Sequence, residues 1–244
     1  MNKTVLVIGA SGGMGRQITL DLVKEGYSVI GTYDETPIDI PNIQTFHLNL
    51  LSDESIKDFI EKIKGISLYG FVNCAGIIEY EGTGVEQDIE VWNKTIKINL
   101  TSNYVLAKYF RNSIQENGRF IMISSTDAMY GGSVTASYSV SKAGINSLTK
   151  SLSLLFKSKK ISVNAIAPGW VKTPMIEDTE EDFIKAIEKI NPMKRIGTPE
   201  DISNVVRFLL KEESNYINGQ VITVDGGYTN QDPTLLIEEK SITI

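Results

Sequence analysis

Tyr138 and Lys142 occupy the first and last places of Tyr138-Ser139-Val140-Ser141-Lys142. On a helix, positions i and i+4 share a face, so the ammonium would sit close enough to favour the phenolate. A tyrosine helped in this way can give or take a proton near neutral pH. Upstream, Ser124-Ser125 ends an apolar run and offers a hydroxyl that could hold a reacting oxygen. Taken alone, Tyr-x-x-x-Lys marks a solvated helix face as readily as a site. A second feature adds weight: Val5-Leu6-Val7-Ile8 runs straight into Gly9-Ala10-Ser11-Gly12-Gly13-Met14-Gly15. Glycines at a strand-to-helix turn let the backbone approach a pyrophosphate, and the helix N-terminus supplies free N–H groups and a favourable dipole. The glycines read as G-x-x-x-G-x-G through Gly9, Gly13 and Gly15, or as G-x-x-G-x-x-G through Gly9, Gly12 and Gly15. Both spacings serve dinucleotides.

These residues need a scaffold, and the apolar pattern supplies one. Short Val- and Ile-rich runs at 4–8, 28–33, 43–48, 68–73, 119–124, 161–166 and 220–224 predict seven strands covered on both faces. Amphipathic stretches at 14–25, 53–64, 89–115 (two helices), 137–156 and 200–211 alternate with them. The expected architecture is α/β: a Rossmann-type, doubly wound, seven-stranded parallel sheet with helices on both faces and a ligand crevice at the strands' carboxyl ends. The chain has 244 residues with 24 Lys and Arg against 30 Asp and Glu, a net charge of −6. One domain spanning 1–244 is expected, with a lid at about 174–196 and a tail at 232–244. Mild acidity without a basic stripe argues against nucleic acid. No uncharged run reaches the roughly 18 to 20 apolar residues of a membrane span. A lone Cys74 and the lack of a signal-peptide pattern predict a cytoplasmic protein.

Further pieces fall in register: Asn73-Cys74-Ala75-Gly76, Asn99 in Ile98-Asn99-Leu100, Pro168-Gly169-Trp170-Val171-Lys172-Thr173, Gly197-Thr198-Pro199-Glu200-Asp201 and Asp225-Gly226-Gly227. With the glycine turn and Tyr138/Lys142, the chain resembles the short-chain dehydrogenase/reductase family over nearly its whole length, in the compact branch of about 250 residues. The resemblance implies hydride transfer between NAD or NADP and a ketone or secondary alcohol, run by Asn99, Ser125, Tyr138 and Lys142. Tyr138 would move the proton and Ser125 would polarise the oxygen. Lys142 would lower the Tyr138 pKa and hold the nicotinamide ribose, and Asn99 would organise a water linking Lys142 to solvent.

The same resemblance implies cofactor contacts from Gly9, Ser11, Gly13, Met14, Gly15, Asn49, Asn73, Ala75 and Gly76, and from Pro168, Gly169, Val171 and Thr173 at the nicotinamide end. Tyr33 and Asp34 fall where the adenosine ribose is read. A carboxylate there prefers a free 2′-hydroxyl, so NAD is favoured over NADP unless Arg16 reaches a 2′-phosphate. Ile8 stands where the family often has Thr, which loses a local hydrogen bond. The substrate wall is expected from Ser125, Ala128, Tyr130, Val134, Trp170 and Met175. Acids at Glu177, Asp178, Glu180, Glu181 and Asp182 read as a solvated helix start, and an anionic substrate is disfavoured if they turn inward.

Many family members reduce 3-oxoacyl groups on an acidic acyl carrier protein, for which Lys157, Lys159 and Lys160 could form a docking surface. Family resemblance also implies a homotetramer, through helices at 100–115 and 137–156. No His, Cys, Asp or Glu spacing suggests a metal, and His47 and Cys74 read as structural. Two other readings share the fold. A non-catalytic dinucleotide sensor would be expected to lose Tyr138 or Lys142. A sugar-nucleotide epimerase or dehydratase would need a larger C-terminal substrate region. An enoyl reductase normally spaces its Tyr and Lys more widely.

Overall fold

The computed structural model describes residues 3–82 and 84–231; the expected tail at 232–244 lies outside the described residues. Seven strands, β1 (Thr4–Ile8), β2 (Ser28–Tyr33), β3 (Gln44–His47), β4 (Leu68–Asn73), β5 (Ile114–Ile123), β6 (Ser162–Pro168) and β7 (Val221–Val224), form one sheet. Their order is β3-β2-β1-β4-β5-β6-β7, and every neighbouring pair is parallel. Successive strand residues point to opposite faces, so each buried strand feeds two cores. Leu6, Ile8, Phe71 and Phe120 pack with α2 (Asp53–Lys62), α4 (Ser102–Phe110) and α5 (Ala136–Leu155) through Phe59, Phe110 and Leu152. Val5, Val7, Val72 and Ile121 pack with α1 (Gly13–Lys24) and α7 (Pro199–Leu210) through Ile18, Leu22 and Val206. The doubly wound layering is the expected one.

The strand order reverses between β1 and β4, which opens a crevice beyond their carboxyl ends. The glycine turn leaves β1 there, and Asn73-Cys74-Ala75-Gly76 leaves β4 beside it. Three elements depart from the sequence reading. The amphipathic stretch read as 89–115 begins earlier, as α3 (Val85–Ile96), passes through a π-helical turn at Lys97–Thr101, and ends with α4 at Phe110. Residues 111–115 do not continue the helix. Ile114 already pairs with Leu68 in the sheet, and a register shift across the left-handed Asn117 delays regular pairing to Arg119. Apolar periodicity carried through that junction and hid it.

The third departure is α6 (Glu181–Ile190), a helix inside the segment expected as a lid, whose apolar side docks through Ile187 and an edge-to-face contact of Phe183 with Trp170. The base of this segment is pinched by a bridge between Val171 and Gly197. Beyond it, Thr198 and Asp201 form a capping box at α7, and Asp201 also takes a two-pronged ion pair from Arg195. That pairing holds the Asp201 carboxyl down at about 2. No described helix is long and apolar enough to cross a membrane.

Candidate active site

The turn after β1 is built for close approach. Gly9 and Gly13 have positive φ, and a Cβ on Gly15 would lie 2.0 Å from the Gly9 carbonyl oxygen. Glycine at these positions brings the start of α1 against the end of β1. Gly12 caps that helix without a side-chain hydrogen bond, and no acid stands in its first turn. The N–H groups therefore face a cavity of about 330 Å³ lined by Gly9, Ser11, Gly13, Met14, Gly15, Ala75, Gly76 and Thr173. This cradle fits a dinucleotide's pyrophosphate. The hydrogen bond expected to be lost at Ile8 is supplied from elsewhere: the Gly9 N–H donates to Thr32 Oγ1 at 3.2 Å.

Tyr33 and Asp34 line the far end of the same cavity. Asp34 Oδ1 lies 3.5 Å from His47 Nε2, and the Tyr33 and His47 rings meet edge to face. Arg16 is exposed and does not line the cavity. Asn49 and Asn73 do not line it either. Asn49 Oδ1 accepts the Leu51 N–H, and the Asn73 side chain is tied into the protein behind the loop.

A second cavity, of about 650 Å³, adjoins the first through Met14, Cys74, Gly76, Thr173 and Met175. It gathers Ser125, Tyr138 and Lys142, together with Pro168, Gly169 and Val171. The end of β5 and the start of α5 bring the three polar side chains together. Ser124 Oγ lies within hydrogen-bond distance of the Lys142 carbonyl and of Asn146 Oδ1, which fastens α5 to the strand end. Lys142 Nζ donates to the Ile123 carbonyl at 2.9 Å and lies 5.5 Å from the centre of the Tyr138 ring.

Burial dominates the electrostatics. It pushes the Tyr138 hydroxyl up to about 12, against a lowering hydrogen bond from Ser125 and with a smaller rise from Asp127. It pulls the Lys142 ammonium down to about 8, opposed by Cys74 and Asp127. The expected lowering of Tyr138 by Lys142 is not found: the phenol is desolvated by burial, and Lys142 Nζ is turned to the Ile123 carbonyl. Burial also drives the Cys74 thiol up to about 12, far from a nucleophile's range.

Asn99 sits in the π-helical turn, almost fully buried. Its Oδ1 accepts the Ile77 N–H, and its Nδ2 donates to the Ile77 carbonyl and to Ser141 Oγ. It thus clamps the loop after β4 to α5. Behind it, Asn73 Nδ2 donates to Asn103 Oδ1, and Asn103 Nδ2 donates to the Asn99 carbonyl. A Cβ on Gly76 would lie 3.3 Å from both Asn99 Oδ1 and Lys142 Nζ, so glycine permits this convergence.

Several contributors were not singled out from sequence. Glu81 accepts the Ala136 and Ser137 N–H groups at 2.7 and 2.6 Å, capping α5 just before Tyr138. Those bonds to the carboxylate hold its pKa down despite burial. Asn103 joins the amide chain, and Asp127 lines the larger cavity. Of the expected wall, Ser125, Trp170 and Met175 line that cavity, but Ala128, Tyr130 and Val134 do not. Past the turn at Thr126–Met129 the chain runs outward, leaving Tyr130 and Val134 about half exposed. Asp178 and Glu180, by contrast, lie at the rim of the cavity and remain exposed. Among the described residues no cluster of three or more His, Cys, Asp or Glu could hold a metal.

Residues 9–229 match the family model described as enoyl-(acyl carrier protein) reductase. The 3-oxoacyl-(acyl-carrier-protein) reductase FabG of Buchnera aphidicola subsp. Schizaphis graminum is 37% identical, with 92% of this chain and 96% of that protein covered. The chain belongs to the short-chain dehydrogenase/reductase family. Among solved structures of the family, a short chain dehydrogenase family protein from Francisella tularensis subsp. tularensis SCHU S4 is 27% identical. It covers 95% of this chain and all of its own at a TM-score of 0.88. ElxO with NADP bound is 31% identical and covers 95% and 100%, with a TM-score of 0.83.

Proposed function

We propose that this chain, an NAD(P)-dependent oxidoreductase acting on CH–OH groups, works as a ketoreductase with Tyr138 as its proton donor. The observation that carries the reading is the meeting of Ser125, Tyr138 and Lys142 in a cavity that opens into the glycine cradle. The bound nicotinamide cofactor supplies the hydride. With its hydroxyl pushed up to about 12, Tyr138 stays protonated at neutral pH and can donate to the carbonyl oxygen as that oxygen gains charge. Ser125 Oγ holds the same oxygen, while Lys142, charged below about 8, stabilises the phenolate left behind. Asn99 keeps the β4 loop and α5 in register around this group.

Gly9, Ser11, Gly13, Met14 and Gly15 would hold the pyrophosphate, with Ala75 and Gly76 alongside. Pro168, Gly169, Val171 and Thr173 would flank the nicotinamide. NAD is proposed over NADP because Asp34 lines the cradle while Arg16 stays outside it. A ribose hydroxyl can donate to that carboxylate, whereas a 2′-phosphate is repelled. Titration with NADH and NADPH tests this, and tighter binding of NADPH overturns it.

The four-position Tyr138 to Lys142 spacing supports ketone chemistry over enoyl reduction. A 3-oxoacyl thioester is the first substrate to assay, given the FabG relative. Docking of an acidic carrier finds less support. Lys159 Nζ is turned to the Arg111, Asn112 and Ile114 carbonyls, and Lys160 pairs with Glu116. The proposal includes one catalytic domain across 1–244, a cytoplasmic setting and a homotetramer. Outward Tyr104 on α4 and Val140 and Leu154 on α5 support the assembly. Light scattering tests it. For the chemistry, Tyr138→Phe is expected to abolish ketone reduction while leaving cofactor affinity largely intact. Wild-type turnover in that variant would discard the mechanism.

A further inference from the structure

Asp127 stands two residues after Ser125, in the tight turn Thr126–Met129, and its backbone N–H donates to Ser125 Oγ at 3.1 Å. The turn therefore holds the Asp127 backbone beside the hydroxyl that holds the reacting oxygen. Asp127 lines the reaction cavity, yet its carboxylate has no hydrogen-bond or ion-pair partner among the described residues. Half-buried carboxylates ordinarily find donors, because desolvating an unpaired one is costly. Here the open direction is the space a substrate would fill. The same cavity is also lined by the exposed Asp178 and Glu180, and Lys142 is the one basic residue among the described lining residues. Lys142 is already turned to the Ile123 carbonyl.

Resting on the ketoreductase reading, we propose that Asp127 determines substrate specificity by accepting a hydrogen bond from a hydroxyl or ammonium group close to the reacting carbonyl. The substrate is then a hydroxy- or amino-ketone, and a carboxylate in the same place is rejected. Trp170, Met175 and Phe183 supply an apolar wall for the rest of the molecule. Ser125 and Tyr138 take the carbonyl oxygen, and Asp127 takes the neighbouring donor. A ketone with no such donor leaves the carboxylate desolvated and unpaired.

Four small methyl ketones of nearly the same size test this: butanone, hydroxyacetone, aminoacetone and pyruvate. The first three carry a methyl, hydroxyl or ammonium group on the same CH3–CO–CH2 frame, and pyruvate carries a carboxylate directly on the carbonyl carbon. In the wild-type enzyme with saturating reduced cofactor, kcat/KM for hydroxyacetone and aminoacetone should exceed that for butanone by at least about tenfold, as a hydrogen bond to a charged acceptor implies. Pyruvate should be poorest. Asp127→Asn, nearly isosteric, should keep the preference for hydroxyacetone but lose that for aminoacetone. Asp127→Leu should bring the hydroxyacetone to butanone ratio to about one.

Calorimetric binding of the same four ketones to cofactor-loaded Tyr138→Phe, with and without Asp127→Leu, reads the ranking without turnover. The Asp127-dependent order seen there, with no turnover in the wild type, would sink the ketoreductase reading and leave the specificity role standing. A wild-type order that ignores the hydroxyl and ammonium, or one that survives Asp127→Leu, would overturn the specificity role.

Discussion

Two buried cations sit at opposite ends of the stretch of β5 that pairs with β6, Arg119 to Ile123, and they are treated in opposite ways. Arg119, where regular pairing begins, is among the largest fully buried side chains. Its guanidinium donates to the carbonyls of Leu209, Asn117, Gly118 and Lys211 and to Asn215 Oδ1, so its five N–H groups meet five acceptors. Two of those carbonyls belong to the end of α7, where a cation also suits the helix dipole. Lys142, reaching the strand's other end, is buried but, among the described residues, hydrogen-bonded to the Ile123 carbonyl alone, and it lines the cavity. A saturated cation ties elements together. An unsaturated one is costly to bury and is left able to hold what enters the cavity. Along a single strand, the carboxyl end carries the chemistry and the amino end carries the fold.

Exchanging the roles should fail in two distinct ways. Lys142→Met is expected to lower kcat/KM for ketone reduction by about a thousandfold, within the range set by general acid–base groups. Its stability should be unchanged or raised. Between about 8 and 10.5 the unfolded chain keeps a proton that folded Lys142 has lost, so burying the cation opposes folding below that window. Denaturant unfolding that shows Lys142→Met strongly destabilised would contradict this division. Arg119→Met should do the reverse. Orphaned carbonyls at the end of α7 should cost on the order of 3 kcal/mol in urea unfolding, with kcat per folded molecule retained.

Smaller again is the effect of Glu81→Gln, which keeps the shape of the α5 cap but removes its charge. The expected loss is about 1 kcal/mol of stability with a modest fall in kcat, because the cap positions the turn that carries Tyr138. Since bonding holds the Glu81 carboxyl below its ordinary value, the wild-type cap is present above the unfolded carboxylate range. It is lost as pH falls through the folded value. The variant should lose that acid-side dependence, which thermal unfolding across pH would reveal.

Much of this molecule was legible in the sequence because it is local. The Val- and Ile-rich strands, the turn from Gly9 to Gly15 and the Tyr138/Lys142 pair are all written in short windows. What stayed hidden depends on distant partners. Glu81 caps a helix that begins at Ala136, and no local pattern links them. Thr32 replaces the hydrogen bond missing at Ile8 from a neighbouring strand. The π-helical turn keeps an unbroken apolar rhythm, so the turn itself stayed hidden and Asn103 read as an ordinary helix residue, while Asn99 was legible only through the family resemblance. In the segment expected as a lid, Asp178 and Glu180 read as a solvated helix start, and only the docking of α6 on Trp170 brings that segment to the rim of the cavity.

The pH dependence of ketone reduction tests the contrast between the two cations most directly. With Tyr138 protonated up to about 12 and Lys142 charged only below about 8, kcat/KM should be level near neutrality. Above pH 8 it should fall tenfold per unit as the ammonium is lost. A profile that stays level until the ordinary lysine range, or rises through pH 8, would contradict the claim that Lys142 is the desolvated, incompletely bonded cation on which Tyr138 depends.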